Sequence, residues 1–292
     1  MARVRRTSRA SIGQSHALQG LPEGGCLTAN GLEGGAGRPG AGPDAYAARL
    51  MEVQEAVLSE ERPNLLEAAR LLAGSLDGHE PDRMIHVFGC GHSHLMAEEA
   101  FWRAGGLAPV HPILDPNLTP LGGSRTSPLE RLEGYARVLL TGEDLRPGEV
   151  VVVFSNSGIN ALPLEVALAA KEAGLRVVAV TSLAHSKGVG PRHSSGQRLF
   201  ELADVTIDTH VPTGDAAVDL TGLTSGAEGH RVAPLSTAIG ALVWNALVAE
   251  VAYLRAVAGS EPATFISQNV PGGDEANEAL VSRYRPRNRF YG

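Results

Sequence analysis

The sequence predicts a doubly wound α/β domain, with a five-stranded parallel sheet, two preceding helices and a long buried C-terminal helix. Three observations carry this prediction. Short, continuously apolar runs such as Val150–Phe154 have the length and β-branched content of strands buried on both faces. Between them, apolar residues recur at helical spacing. The runs end in clusters of Gly, Ser, Thr or Asn, the composition of tight turns from strand to helix.

In chain order, residues 1–43 contain 10 of the 35 glycines and no apolar period, and read as a disordered glycine-rich leader. Tyr46, Leu50, Val53 and Val57 then predict a first helix, and Pro63 opens a second that runs through Leu65, Ala69 and Leu72 to end near Gly74. Met84–Phe88 reads as the first strand, broken by Gly89, and residues 94–104 as a helix closed by Gly105 and Gly106. Leu107–His111 reads as the second strand and Val150–Phe154 as the third. A helix spans about Asn160 to Ala173, with Ala161, Leu164 and Leu168 on one face and Gly174 as its C-cap. Arg176–Val180 and Val205–Ile207 complete the sheet. From Leu235 to Ala258 the apolar residues spread around much of the helix circumference, which predicts burial on more than one side, within the chain or against a second subunit. Arg283, Arg285, Arg287 and Arg289 read as a solvated basic tail. Residues 44–292 thus form a single domain with helical additions at both ends.

Composition narrows the function classes. Of the 292 residues, 43% are hydrophobic and 4% aromatic, so aliphatic side chains do the packing. Cys26 and Cys90 are too few for a disulfide framework or a cysteine-rich zinc module, which fits a reducing cytoplasm. The sequence contains no apolar run of 18 residues, and no apolar stretch follows the N-terminal arginines, so neither a membrane span nor a secretory signal is expected. The net charge of -7 is uneven: five arginines against two glutamates make residues 1–43 +3 and the remainder -10. A nucleic-acid partner would want the reverse.

Three strand ends could hold an anion. They are Gly89-Cys90-Gly91-His92-Ser93-His94, Ser155-Asn156-Ser157-Gly158-Ile159-Asn160 and Thr181-Ser182-Leu183-Ala184-His185-Ser186. One such loop would be read as a helix cap, but three in one parallel sheet form a cradle of hydroxyls and amides without lysine, at the carboxyl ends where ligands bind. The candidate binding residues are Gly91, His92, Ser93, Ser155, Asn156, Ser157, Asn160, Thr181, Ser182 and Ser186. His92, His94 and Glu98 suggest a metal only thinly, and no metal or cofactor is expected. A dinucleotide fingerprint would need glycine where His94 stands, and Asp115 lies too late to close the second strand. Cys90, between two glycines, reads as a small buried thiol.

These motifs resemble, in order over about residues 84–210, those of the SIS (sugar isomerase) domain family. The first loop is similar to that of the isomerase half of glucosamine-6-phosphate synthases, and Ser155-Asn156-Ser157-Gly158 resembles the Ser-x-Ser-Gly motif. Overall the chain is most similar to uncharacterised bacterial single-domain SIS proteins grouped near phosphoheptose isomerases. The resemblance implies a flavodoxin-like strand order, a phosphorylated sugar as ligand and a homodimer or homotetramer, with Ser93, Ser155, Ser157 and Ser182 on the phosphate. Two features depart from it. Asn160 stands where the family commonly has threonine, and the offset of the phosphoheptose isomerases' His-x-x-x-Glu pair from the loop serine is not matched by Glu98 or Glu99.

Aldose–ketose isomerisation through an enediol needs a base, and often an acid or base for ring opening. Glu130 is the candidate base, since several SIS isomerases carry a carboxylate between the second and third strands; Glu98 is a further candidate. His94 and His185 are candidates for ring opening. A non-catalytic phosphosugar sensor, and lyase or hydrolase chemistry on an amino-sugar phosphate, are the alternatives.

Overall fold

A computed structural model describes residues 40–77, 83–223 and 229–292. The expected leader therefore lies outside the described residues up to position 39, and its last residues already belong to a helix. The elements are α1 (Ala41–Glu60), α2 (Arg62–Ser75), β1 (Ile85–Gly89), α3 (His94–Ala100), β2 (Val110–Pro112), α4 (Thr126–Glu130), α5 (Tyr135–Leu139), β3 (Val150–Phe154), α6 (Ala161–Glu172) and β4 (Arg176–Thr181). They continue with α7 (Leu183–Gly188), α8 (Leu199–Leu202), β5 (Val205–Asp208), the hairpin β6 (Ala216–Asp219) and β7 (Arg231–Pro234), α9 (Ser236–Val257) and α10 (Gly273–Tyr284).

The expected five-stranded parallel sheet is present, in the order β2-β1-β3-β4-β5. Alternate side chains go to opposite faces. Ile85, Val87, Val150, Val152 and Phe154 pack under α1, α2, α3 and α9, while Phe88, Val151 and Val153 pack under α6. Because both faces are covered, β3 carries apolar residues at every position, and β1 and β4 do so at most of theirs. α9 buries Ile239, Val243, Trp244, Leu247 and Val251 in the first core. It is also, among the described residues, the one helix long and apolar enough to cross a membrane, with a mean hydropathy of 1.5.

Three expectations are corrected, all by the C-terminal segment. The helix expected over 94–104 stops at Ala100, and Trp102 takes a positive φ of 49°. Phe101 and Trp102 turn instead into an aromatic cluster with Phe265 and Tyr291. The second strand begins at Val110 rather than Leu107, because Leu107 first bridges Thr264 and Ala108 N–H donates to Ala263 O at 2.8 Å.

The basic tail is not simply solvated. The Arg287 side chain is 3% exposed and pairs with Asp144 at 2.7 Å and Glu149 at 2.9 Å, and Arg289 pairs with Glu143 at 2.8 Å. Glu149 and Glu143 also accept from His86 and His111, which sit opposite each other on β1 and β2. Buried carboxylates need cationic partners, and the tail supplies them.

Candidate functional site

Strand order reverses between β1 and β3, so α3 and α6 leave the sheet on opposite faces and a crevice opens beyond the carboxyl ends of these strands. The turns after β1 and β3 form its rims. A Cβ on Gly89 would lie 2.2 Å from Ser93 O, so only glycine lets the first turn fold back on itself. Gly158 has φ +62°, and a Cβ there would lie 2.6 Å from Thr181 Oγ1, so glycine also sets the path of the second.

On one side of the crevice, His92, Ser93, Ser155, Asn156, Thr209, Ser236 and Thr237 line a small cavity floored by Met96, Phe154 and Val180. Thr209 Oγ1 donates to Asn156 Oδ1 at 3.2 Å, which leaves the Asn156 NH₂ as a donor. The Ser93 and Ser157 hydroxyls are half-buried and have no hydrogen-bond partner among the described residues. Ser155 Oγ accepts from Gly158 N at 3.2 Å and holds the loop's shape. The N-terminus of α9 closes the cavity. Asp215 accepts there from Leu235 N at 3.0 Å and Ser236 N at 2.7 Å, so this helix end already carries an acidic cap.

Thr181, Ser182 and Ser186 are fully buried beneath this rim and do not line the cavity. Ser182 Oγ donates to Val211 O at 2.6 Å and accepts from His185 N at 3.2 Å, which makes it the N-cap of α7. Thr181 Oγ1 donates to Asn156 O at 3.4 Å, and Ser186 Oγ lies against Gly158. These residues support the second loop from below.

The other candidates are divided between the two sides. His94 is buried: Nδ1 bonds Glu98 at 2.8 Å, and Nε2 accepts from Asp115 N at 3.4 Å. Both ring nitrogens are thus engaged, one within α3 and one in holding the loop after β2. Glu98 instead lines an open cleft with Glu99, Thr237 and Ala241, beside the cavity. His185 is half-buried near Asp215; burial, with Arg192 nearby, lowers its pKa. Glu130 ends α4 on the α6 side of the crevice, half-buried, with Asn160 against its carboxyl. Burial raises its pKa, opposed by the nearby Asn160 amide and by the charges of Arg131 and Arg192. Burial also pushes the nearby Cys90 thiol far up, with Glu130 and Asp115 adding to the effect.

Residues 45–182 match the family profile of the SIS domain, which takes in β1, β3, β4 and both rims of the crevice. The chain is 42% identical over 243 residues to a UPF0309 protein of Geobacillus kaustophilus, an alignment covering 83% of this chain and 94% of that one. It is 41% identical over 243 residues to a UPF0309 protein of Listeria monocytogenes, covering 83% and 95%. The chain belongs to the UPF0309 family. A phosphoheptose isomerase from Neisseria gonorrhoeae is 17% identical, with a TM-score of 0.46, over 71% of this chain and 96% of that one. In this UPF0309 protein the SIS match ends at Ser182, so Arg192, Thr209, Asp215, Ser236 and Thr237 lie beyond it. Sequence reading missed all five. The Ser236-Thr237 pair opening a long apolar helix was the available signal for two of them; the other three stand in segments with no period of their own.

Proposed function

We propose that this protein binds a phosphorylated sugar in the crevice between β1 and β3 and isomerises it between aldose and ketose through an enediol. The observation that supports this most is the pairing, across one crevice, of unengaged donors (Ser93, Asn156 and Ser157) with a half-buried carboxylate, Glu130. The donors suit a phosphate, since hydroxyls and amides solvate an anion without requiring lysine. Glu130 suits proton transfer: its raised pKa brings it nearer neutrality while the Asn160 contact favours the ionised form. In this reading Glu130 takes the proton from C2 of the open-chain aldose as the C1 carbonyl oxygen gains one, and the enediol is reprotonated at C1 as its C2 hydroxyl gives up a proton to become the ketone. His185, in the turn after β4 beside Arg192 and Asp215, is the freer of the two histidines for ring opening: its Nδ1 accepts from Gly214 N at 3.5 Å, whereas His94 is engaged at both nitrogens.

A sensor is the second reading. Among the described residues no carboxylate lines the small cavity itself, so a phosphosugar seated wholly on the α9 side would meet no base there. We further read the protein as cytoplasmic and as a homo-oligomer, the second supported by the exposed Tyr253 and Val257 on α9. Thermal-shift measurements against a panel of phosphosugars, followed by NMR of each stabilising compound in D₂O, test the proposal. Isomerisation places deuterium at C1 or C2; stabilisation without exchange supports the sensor; no stabilisation by any phosphosugar overturns both.

A further inference from the structure

Asn160 occupies the N-cap position of α6, yet its side chain makes no capping hydrogen bond to that helix. It is buried, and Oδ1 accepts from Arg192 Nη1 at 2.8 Å. Arg192 comes from the segment between α7 and α8, which lies across the loop after β3 like a strap. Arg192 N–H donates to Ile159 O at 2.9 Å and Leu199 N–H to Gly158 O at 2.9 Å. Farther along, Ser194 N–H and Oγ both donate to Glu133 at 2.7 Å, tying the strap to the end of the Glu130 segment. Arg192 is itself exposed, so no packing demand explains where its guanidinium lies.

A primary amide has one accepting and one donating edge. Once a guanidinium holds Oδ1, the NH₂ must face the other way; α4, which ends at Glu130, packs against α6 and brings that carboxyl toward the amide. We propose that Arg192 is a positioning residue for Glu130: by holding the Asn160 oxygen it commits the amide nitrogen to donate to the carboxylate. The proposal rests on the reading of Glu130 as the base. An amide without that anchor can turn over and set Oδ1 against the carboxyl, an arrangement that favours the protonated acid and removes the base. The groups facing Glu130 are Asn160, Arg131 on its own segment, Arg192 on the strap, and Cys90 after β1. Arg192 also acts on Glu130 directly, as a charge, so the test must separate that route from the one through Asn160.

Carboxyl ¹³C NMR of the full chain with labelled glutamate, in about 0.15 M salt, follows the titration of Glu130 without any substrate. Its signal is assigned by its loss in Glu130→Gln. The expected result is that Arg192→Met raises the Glu130 midpoint by about one pH unit, a tenfold change in protonation. Asn160→Ser is expected to raise it similarly, and Arg192→Met added to Asn160→Ser should shift it by less than about 0.3 unit. An unchanged midpoint in Arg192→Met overturns the proposal, and so does a shift that persists in full in the Asn160→Ser background. A second readout needs no Asn160 variant. The Asn160 Nδ2 proton shift should titrate with the Glu130 midpoint in the wild type and lose that coupling in Arg192→Met; no coupling in the wild type overturns the donor assignment. Because none of these measurements uses a sugar, failure of the isomerase reading and failure of this one are distinguishable.

Discussion

Replacing Glu149 by alanine should destabilise the protein severely, although the residue lies at the opposite end of β1 from the crevice. Glu149 is 0% exposed and accepts from Met84 N at 2.9 Å, His86 Nε2 at 2.8 Å, Arg146 N at 3.0 Å and Arg287 Nη2 at 2.9 Å. Truncation leaves the buried Arg287 guanidinium without this partner, and breaking a buried pair from one side costs about 3–5 kcal/mol. The stranded backbone donors add to that cost unless water enters. At about 2–4 °C per kcal/mol for a domain of roughly this size, Tm should fall by about 6–20 °C at pH 7. Arg287→Met should fall less, because Glu149 then keeps His86 and two backbone N–H groups. Calorimetry of the two variants beside the wild type measures this. A Glu149→Ala loss under about 3 °C, or an equal loss in both variants, would refute the view that this carboxylate anchors the tail.

Other outcomes follow from the same contacts. Stability should erode in acid in two stages. Burial lowers the His86 pKa from 6.5, so its contribution is complete above about that pH and shrinks as pH falls below it. Burial alone would raise the Glu149 and Glu143 pKa values, but His86 with the Met84 and Arg146 N–H groups for Glu149, and His111 with Arg289 for Glu143, leave both below 4.5, so their contribution is lost only as pH falls through the folded values; Tm measured from pH 8 to pH 3 checks both stages. Gly158→Ala should cost about 1–3 kcal/mol for the positive φ alone and weaken phosphosugar binding, read by urea unfolding and thermal shift. In a Cys26→Ser background, Cys90 should react with a thiol reagent at pH 7 at least about a hundredfold more slowly than in denaturant, because burial disfavours the thiolate.

The strands illustrate what local sequence carries. The third expected strand coincides with β3 residue for residue, and the first and fourth lie within one residue of β1 and β4. A run of β-branched residues bounded by glycine and hydroxyl residues encodes a strand within its own few positions. The rims of the crevice were legible for the same reason, because the turn after a strand is written next to it. The helix over 94–104 was misjudged where Phe101 and Trp102 answer to Phe265 and Tyr291, residues far along the chain.

By itself, then, the sequence determined the α/β class, the order of its elements and the composition of the loops at the sheet's carboxyl edge. Tertiary structure alone decided which side chains meet. It paired Arg287 with Glu149 across 138 positions, Arg192 with Asn160 across 32, and Asp215 with the start of α9. The physical reason is that periodicity and turn chemistry are local properties of the backbone. The partner of a buried charge or amide is instead whatever the fold brings within about 3 Å, and no local pattern records it.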